Sequence, residues 1–302
     1  MKHIALSNPL PRNDWAKYFV DERDYDVLYD EDVRLTDERG NPLLVLVKKA
    51  ISTEAAAKAW GVLRNYHTNS DNRGVASGIS PEPRKKMDGT YSATTRVPKG
   101  WGVESGIIGY FERTVRMPFC RSCQWNLDHP EKFAALFPMC QEATAKFEQL
   151  VPERFKVQKA IVDKTDPSYV IPNTLYTTLT INKNFRTACH LDAGDLEEGF
   201  SNMVVLKEGN ILGGNLVLPR WRVAVKLDHG DLVMFNAHEW HGNTQIIRLD
   251  KKAQRCSIVM YYRTKMQHCL SPKEEAERAK NRKAGDSLYD HAVDNGGEPG
   301  PT

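Results

Sequence analysis

No apolar run in the 302 residues reaches the roughly 18 that a membrane-spanning helix needs, so a membrane-embedded protein is not expected. The opening stretch MKHIALSNPLPRNDW has no apolar h-region, so no secretory signal is visible. Cysteine is scarce, with six residues in the whole chain, which excludes a disulfide scaffold and makes a reducing, cytoplasmic setting the expectation. An excess of one charge is missing too. Lys and Arg number 42 against 39 Asp and Glu, a formal net charge of +3, too mild to announce a nucleic-acid binder by itself. There is no internal repeat and no collagen-like or coiled-coil pattern. What remains, 40% hydrophobic and 27% charged, is an ordinary globular composition. A chain of this length buries enough surface to fold without covalent staples.

Charge is uneven along the chain. Residues 61–120 hold nine bases, Arg84-Lys85-Lys86 among them, against five acids, whereas residues 21–32 are strongly acidic. Leu43–Val47 is strand-like, and residues 52–63 predict a helix capped by Ser52 or Thr53. Residues 65–105 are rich in Gly, Ser, Asn, Pro and Thr and read as a long irregular stretch. Apolar residues at helical spacing (Phe133, Leu136, Phe137, Cys140, Ala143, Phe147) predict a helix over 130–150 with Pro130 in its first turn. From 174 onward the pattern changes to short strands at 174–181, 203–207, 215–218, 222–227, 231–235 and 255–262, separated by turn residues. Many short strands in series predict a sandwich or jelly roll. Residues 272–283 read as a charged helix without an apolar face, and the Gly- and Pro-rich tail reads as disordered.

The chemistry concentrates after residue 189. Residues two apart on an extended segment point the same way, so His190 and Asp192 can aim at one point. A distal histidine follows the 231–235 strand in the segment HEWHG, which offers His238 and His241. Gly242, which lets the backbone pass close to a metal, and the spacing to Arg255 favour His241. His238 then reads as a surface or supporting residue. Two histidines and one carboxylate form the facial set of non-haem Fe(II) oxygenases, with positions left for a co-substrate and O2. Arg255, fourteen residues on, begins the strand RCSIVMYY, where a guanidinium fork can clamp the far carboxylate of 2-oxoglutarate. Ser257 faces the same side and can add a hydroxyl.

Asp195 reads either as a residue that orients a ligand or binds substrate, or as an ordinary turn aspartate. Asn72 and Arg73 read either as contacts to a nucleic acid or base, or as a turn with a surface pair. Cys120 and Cys123 have zinc-knuckle spacing but no second pair or histidine to complete a site. Trp101, Trp125 and Trp221 read as core. Trp240, beside His241, is the candidate if one tryptophan stacks on a substrate.

The stretches TLYTTLTINKNFRTACHLDAGDLEEGFSNMVVL and GGNLVLPRWRVAVKLDHGDLVMFNAHEWHGN, with NRGVASG (72–78) upstream, resemble the TET/J-binding-protein group of 2-oxoglutarate- and Fe(II)-dependent oxygenases. The resemblance runs from about residue 60 to 265 and is densest over 174–263. It implies an α+β fold with a double-stranded β-helix (jelly-roll, cupin-like) core and flanking N-terminal helices. One dioxygenase domain is expected over 1–270, its helical and irregular part at 1–170 and its jelly-roll core at 171–265, followed by a charged helix and tail at 271–302. The implied activity is hydroxylation of the 5-methyl group of thymine or 5-methylcytosine in DNA. Iron is implied on His190, Asp192 and His241, 2-oxoglutarate on Arg255 and Ser257, and DNA as partner. The chain lacks the cysteine-rich zinc region of animal TET enzymes and is similar to a compact microbial or phage-encoded member, whose compartment would be the host cytoplasm. Two other readings stand beside this one. The first is the same chemistry on a peptide or free nucleoside, and the second is a jelly-roll binding module without catalysis.

Overall fold

The computed structural model of the protein describes residues 1–70, 73–78, 82–85, 91–96, 102–114, 117–192 and 194–281. Asn72, Lys86, Trp101 and the tail from 282 lie outside the described residues, as do the side chains of Arg84 and Lys85.

The N-terminal part contributes β1 (Lys2–Ala5), β2 (Val27–Tyr29), β3 (Val33–Thr36) and β4 (Pro42–Val47), then α1 (Thr53–Leu63). The Ser52 hydroxyl caps α1 by accepting from the Ala55 N–H. A hairpin of β5 (Glu82–Lys85) and β6 (Tyr91–Arg96) precedes β7 (Ser105–Phe111) and β8 (Arg121–Ser122). Four helices follow: α2 (Gln124–Asp128), α3 (Pro130–Ala134), α4 (Phe137–Leu150) and α5 (Pro152–Val162). The second half holds β9 (Thr178–Lys183), β10 (Ser201–Glu208), β11 (Ile211–Gly213), β12 (Leu216–Leu218), β13 (Val223–Val225), β14 (Asp231–Phe235), β15 (Gly242–Asn243), β16 (Ile246–Arg248) and β17 (Gln254–Tyr261), with α6 (Pro272–Asn281) last.

Two sheets face each other, as a jelly roll requires. The large one has the order β1-β3-β4-β14-β10-β17-β9-β7-β8 and the small one β15-β12-β13-β2. Side-chain alternation divides the apolar residues into two cores. From β4, β10 and β14, the residues Leu44, Leu46, Met203, Val205, Val233 and Phe235 point between the sheets and meet Leu216, Leu218, Val223 and Val225 of the small one. Their neighbours Val45, Val47, Val204, Leu206, Leu232 and Met234 point outward against α1, α4 and α5. The helices thus cover one face of the large sheet and leave the inter-sheet face to the site.

Several expectations change in detail. The large sheet takes β1, β3, β4, β7 and β8 from before residue 171, so the strand framework is not confined to 171–265. The helix predicted over 130–150 is two, because Pro138 has no N–H to continue the ladder and instead sits in the first turn of α4. The strand predicted from 174 starts at Thr178. Thr174 instead closes a turn, its hydroxyl donating to the Ile171 carbonyl and accepting from the Tyr176 N–H. The charged helix α6 has no apolar face, yet it docks by burying Glu275, which accepts from Arg113, the Cys120 N–H and the Leu270 N–H.

The cysteines depart most from expectation. Cys120 and Cys269 form a disulfide with Cα atoms 5.8 Å apart. Two cysteines far apart in sequence carry no visible pairing signal until the chain returns on itself. Cys123 does not join Cys120 in a metal pair, and its thiol donates to the Asn126 side-chain oxygen instead. No helix among the described residues is long and apolar enough to cross a membrane.

Candidate active site

β17 is the spine of the site. Its even-numbered residues Cys256, Ile258 and Met260 pack toward the helices, so the odd-numbered Arg255, Ser257, Val259 and Tyr261 face between the sheets. They line a cavity of about 380 Å3 that also takes His190, Asp192 and His241. On the neighbouring β9, Thr180 and Asn182 face the same cavity while Leu179 and Ile181 join the outer core.

The segment carrying His190 is held on two sides. The Cys189 N–H donates to the Tyr18 carbonyl, and the Ala188 N–H donates to that of Ala76. His190 and His241 exchange backbone hydrogen bonds of 3.0 and 3.2 Å, which sets their side chains together, with ring centroids 4.3 Å apart. The Asp192 N–H donates to the Ala237 carbonyl and completes the arrangement. The ligand-type atoms of His190, Asp192 and His241 all lie within 4.8 Å of one another. Gly242 also passes close to the His190 segment: a Cβ there would stand 3.1 Å from the Cys189 nitrogen and 3.2 Å from its sulfur.

Both rings are oriented through the same device. His190 Nδ1 lies 2.8 Å from the Ala188 carbonyl and His241 Nδ1 lies 2.9 Å from that of Glu239. A carbonyl only accepts, so Nδ1 carries a proton; in the neutral ring Nε2 presents its lone pair, and in the imidazolium its N–H points at Asp192. These Nε2 atoms lie 3.3 and 3.6 Å from the two oxygens of Asp192. Burial opposes charge on Asp192, but the two imidazoles outweigh it and hold the carboxyl well below the usual range. Burial likewise disfavours the His190 imidazolium, and the Asp192 charge and hydrogen bond raise its pKa in spite of that. Two imidazole nitrogens and one carboxylate, with no thiolate among them, suit Fe(II) with open positions. His238 is elsewhere: its Nε2 is buried without a partner and it borders a separate small void beside Phe200 and Tyr262.

At the other end of the cavity Arg255 is 3% exposed and forms no ion pair among the described residues. Its Nη2 donates to the Gly214 carbonyl at 3.0 Å, while its Nε has no partner. Burial alone brings its pKa down to about 10. A buried guanidinium without a carboxylate is costly, and an anionic ligand would compensate it. Ser257 stands on the same face. Asn182 sits opposite Ser257 in the β9–β17 register, and its Oδ1 accepts the Ser105 hydroxyl at 2.5 Å, which leaves its amide N–H groups for a ligand.

The remaining candidates fall on different sides of the outcome. Arg73 lines the cavity. Burial depresses its pKa against the pull of Tyr261 and Asp192, and its Nε has no partner among the described residues. Asp195 also lines the cavity and is buried, with its Oδ2 accepting from Ser201. Burial and the neighbouring Asp192 charge push its pKa up. Trp240 does not line the cavity. Its neighbour His241 points inward, so Trp240 points outward into a cluster with Trp15, Val20 and Val217.

Asn182, Tyr261 and Arg263, the last locked by a bidentate pair with Glu112, were not singled out from the sequence. A signal was available for Asn182. Thr178, Thr180 and Asn182 repeat at every second position of a strand, with the apolar Leu179 and Ile181 between them.

The Tet_JBP family profile, described as the oxygenase domain of the 2OGFeDO superfamily, matches residues 106–264. Curated relatives include a bifunctional helicase and thymine dioxygenase JBP2 of Trypanosoma brucei brucei, 25% identical over 280 residues that cover 91% of this chain and 24% of the relative. A thymine dioxygenase JBP1 of the same organism is 28% identical over 283 residues, covering 90% and 30%. Thymine dioxygenase JBP1-B of Trypanosoma cruzi is 30% identical over 251 residues, covering 81% and 27%. The chain therefore spans about a quarter to a third of the length of these relatives. Among solved structures, NgTET1 in complex with 5mC DNA matches with a TM-score of 0.55 at 14% identity, covering 85% of this chain and 91% of that one, a likeness of fold.

Proposed function

The chain belongs to the Tet_JBP family of 2-oxoglutarate- and Fe(II)-dependent oxygenases, and on that premise we propose that it hydroxylates the 5-methyl group of a pyrimidine, thymine or 5-methylcytosine, in DNA. One observation carries the reading: the His190–Asp192–His241 cluster and the Arg255 guanidinium, which forms no ion pair among the described residues, line a single cavity. The thymine dioxygenase names of the trypanosomatid relatives support a 5-methylpyrimidine as substrate. We read residues 1–270 as one dioxygenase domain.

His190, Asp192 and His241 would hold Fe(II) through two Nε2 atoms and a carboxylate. When bound, that iron supplies the activation of O2 needed to attack an unactivated C–H bond. Arg255 and Ser257 grip the far carboxylate of 2-oxoglutarate, and Asn182 adds a neutral donor on the same wall. The overall reaction takes the methyl base, 2-oxoglutarate and O2 to the hydroxymethyl base, succinate and CO2, so one oxygen atom enters each organic product. Arg73 and Asp195 lie where they can meet the polar edge of the base. A methyl group inside a duplex cannot reach an enclosed centre, so the base is flipped out or already single-stranded, at a cost of about a few kcal/mol in a duplex. The apolar residues Val259, Leu216 and Phe235 help exclude water from the reacting end.

The test is nucleoside mass spectrometry on DNA containing both bases, treated with the iron-loaded enzyme, 2-oxoglutarate and air. A new 5-hydroxymethyl nucleoside is the expected product. Succinate formation with no new nucleoside would overturn the DNA reading and turn attention to free nucleosides or peptides.

A further inference from the structure

A second cavity, of about 430 Å3, lies against the first and has no role in the chemistry above. Phe185 lines both. The short turn Gly74–Ser77 also separates them, with Ala76 lining the first cavity and Ser77 the second. The two spaces are therefore divided by one aromatic ring and one turn of backbone.

The walls of this cleft combine cations with an exposed aromatic ring. Phe19 is 40% exposed, and the Arg186 guanidinium lies 5.0 Å from its ring centroid. The ring is seated on Gly78, whose φ is +72° and where a Cβ would stand 2.3 Å from it. Arg186 spends one nitrogen on the Val20 carbonyl, while its Nε has no partner among the described residues. Lys183 is 4% exposed, and its ammonium donates to the Arg64 carbonyl without an acidic partner among the described residues. The acid in the lining, Glu104, lies 3.0 Å from His67. Lys183 is a buried cation without an acidic partner among the described residues, and the half-buried Arg186, which also acts on the Asp21 carboxylate, keeps donor capacity beside an exposed ring, so the cleft suits a ligand with an anionic group and a flat π face.

We propose that this cleft is the subsite for the nucleotide next to the target base on the same DNA strand, with its base against the Phe19–Arg186 stack and its phosphate near Arg186. The inference rests on the DNA reading above. Aromatic stacking tolerates any base, and phosphate contact ignores sequence, so the subsite holds the strand without specifying its sequence. Its position one ring away from the catalytic cavity lets it grip the strand as the target turns inward. That grip offsets part of the unstacking cost.

Two variants and one probe test it. The 2-oxoglutarate-induced rise in Tm serves as the folding control for Phe19→Ala and Arg186→Gln. Phe19→Ala is expected to raise KM for a methylated oligonucleotide five- to tenfold with kcat retained, and to leave the salt slope of DNA binding unchanged. Arg186→Gln is expected to weaken binding and to reduce that slope by about one. Oligonucleotides abasic at either neighbour of the target, tried in turn, should reproduce the Phe19→Ala loss with the wild-type protein and add nothing to the variant. KM within twofold of wild type in both variants, or no effect of either abasic neighbour, would overturn the proposal. A 2-aminopurine at the neighbouring position gives a readout independent of turnover. Its fluorescence should be quenched on binding wild type but not Phe19→Ala, and equal signals in the two also reject the subsite. If the wild type converts no base in DNA, it is the proposed function that fails, and the fluorescence result still decides the cleft.

Discussion

Arg255 donates to the carbonyl of Gly214, and the same glycine is what makes room for it. A Cβ at Gly214 would stand 3.0 Å from Nε and 3.3 Å from Cζ, at a backbone φ of +69°. The guanidinium is thus aimed by a residue whose side chain had to be missing. Gly214→Ala is expected to weaken 2-oxoglutarate binding through both strain and a displaced Arg255, with iron binding retained. Arg255→Lys keeps the charge but loses the planar fork. Losing one charged hydrogen bond of about 1.5–3 kcal/mol corresponds to about 10–100-fold in affinity. Calorimetry with 2-oxoglutarate measures both, and unchanged affinity in Arg255→Lys would remove that residue from the site.

Metal binding separates His241 from His238. Only His241 brings its Nε2 to Asp192, at 3.6 Å. His190→Ala, Asp192→Ala and His241→Ala should each abolish the rise in Tm that Fe(II) or Mn(II) produces under anaerobic conditions, and with it succinate formation. His238→Ala should retain both. A dead His238→Ala beside an active His241→Ala would reverse the assignment.

The same cluster predicts opposite pH responses with and without metal. Asp192 raises the folded-state pKa of His190 in spite of burial. In the metal-free protein this pair's contribution is fully present below the ordinary histidine pKa of about 6.5 and is lost as pH rises through the folded value. Asp192, held low by the imidazoles despite burial, contributes above the ordinary carboxylate pKa of about 3.9 and loses that contribution only in strong acid. The Tm advantage of the chelated wild type over His190→Ala should therefore be larger near pH 5.5 than near pH 8.5. The metal-induced rise in Tm should run the other way, because protons compete for the imidazoles. Equal metal-induced shifts at both pH values would contradict this account.

Asn182 should behave as a binding residue for the co-substrate. Removing its amide in Asn182→Ala costs a neutral hydrogen bond of about 0.5–1.5 kcal/mol, so 2-oxoglutarate affinity should fall by a few-fold. Ser105→Ala, which frees Oδ1 and lets the amide rotate, should give a smaller loss. Calorimetry that finds both variants at wild-type affinity would place the amide outside the co-substrate site.

The C-terminal helix should depend on one buried carboxylate. Glu275→Ala strands Arg113 and two backbone donors, and breaking a buried pair costs roughly 3–5 kcal/mol. A clear fall in Tm is expected, while Glu274→Ala, which loses only exposed contacts to the Ser271 N–H and hydroxyl, should cost less. Thiol titration of the unreduced, denatured protein should find four free cysteines, Cys123, Cys140, Cys189 and Cys256, with Cys120 and Cys269 bridged. Six free thiols would show that bridge to be absent.

Local rules carried much of the site. The two-residue step from His190 to Asp192, the glycine after His241 and the bulk of β17 are short-range features, and extended backbone converts them directly into directions. Short strands from residue 201 onward could be read for the same reason. The two-residue period and the turn residues between strands need no knowledge of the rest of the chain.

What the tertiary structure alone decided is everything that depends on return of the chain. β7, interrupted by Gly106 and Gly109, is a strand because β9 pairs with it over Ser105–Gly109 and β8 over Tyr110 and Phe111. Trp240 sits beside a metal-type ligand in sequence and away from the cavity in space, because alternation turned it toward the N-terminal segment. Cys120 meets Cys269 where Glu275 of α6 also accepts from the Cys120 N–H. The sequence by itself determined which residue types could do this chemistry and which way neighbouring side chains must diverge. The packing of the two sheets decided which of them share a cavity, because period and propensity act over a few residues while burial is shared between segments far apart in the chain.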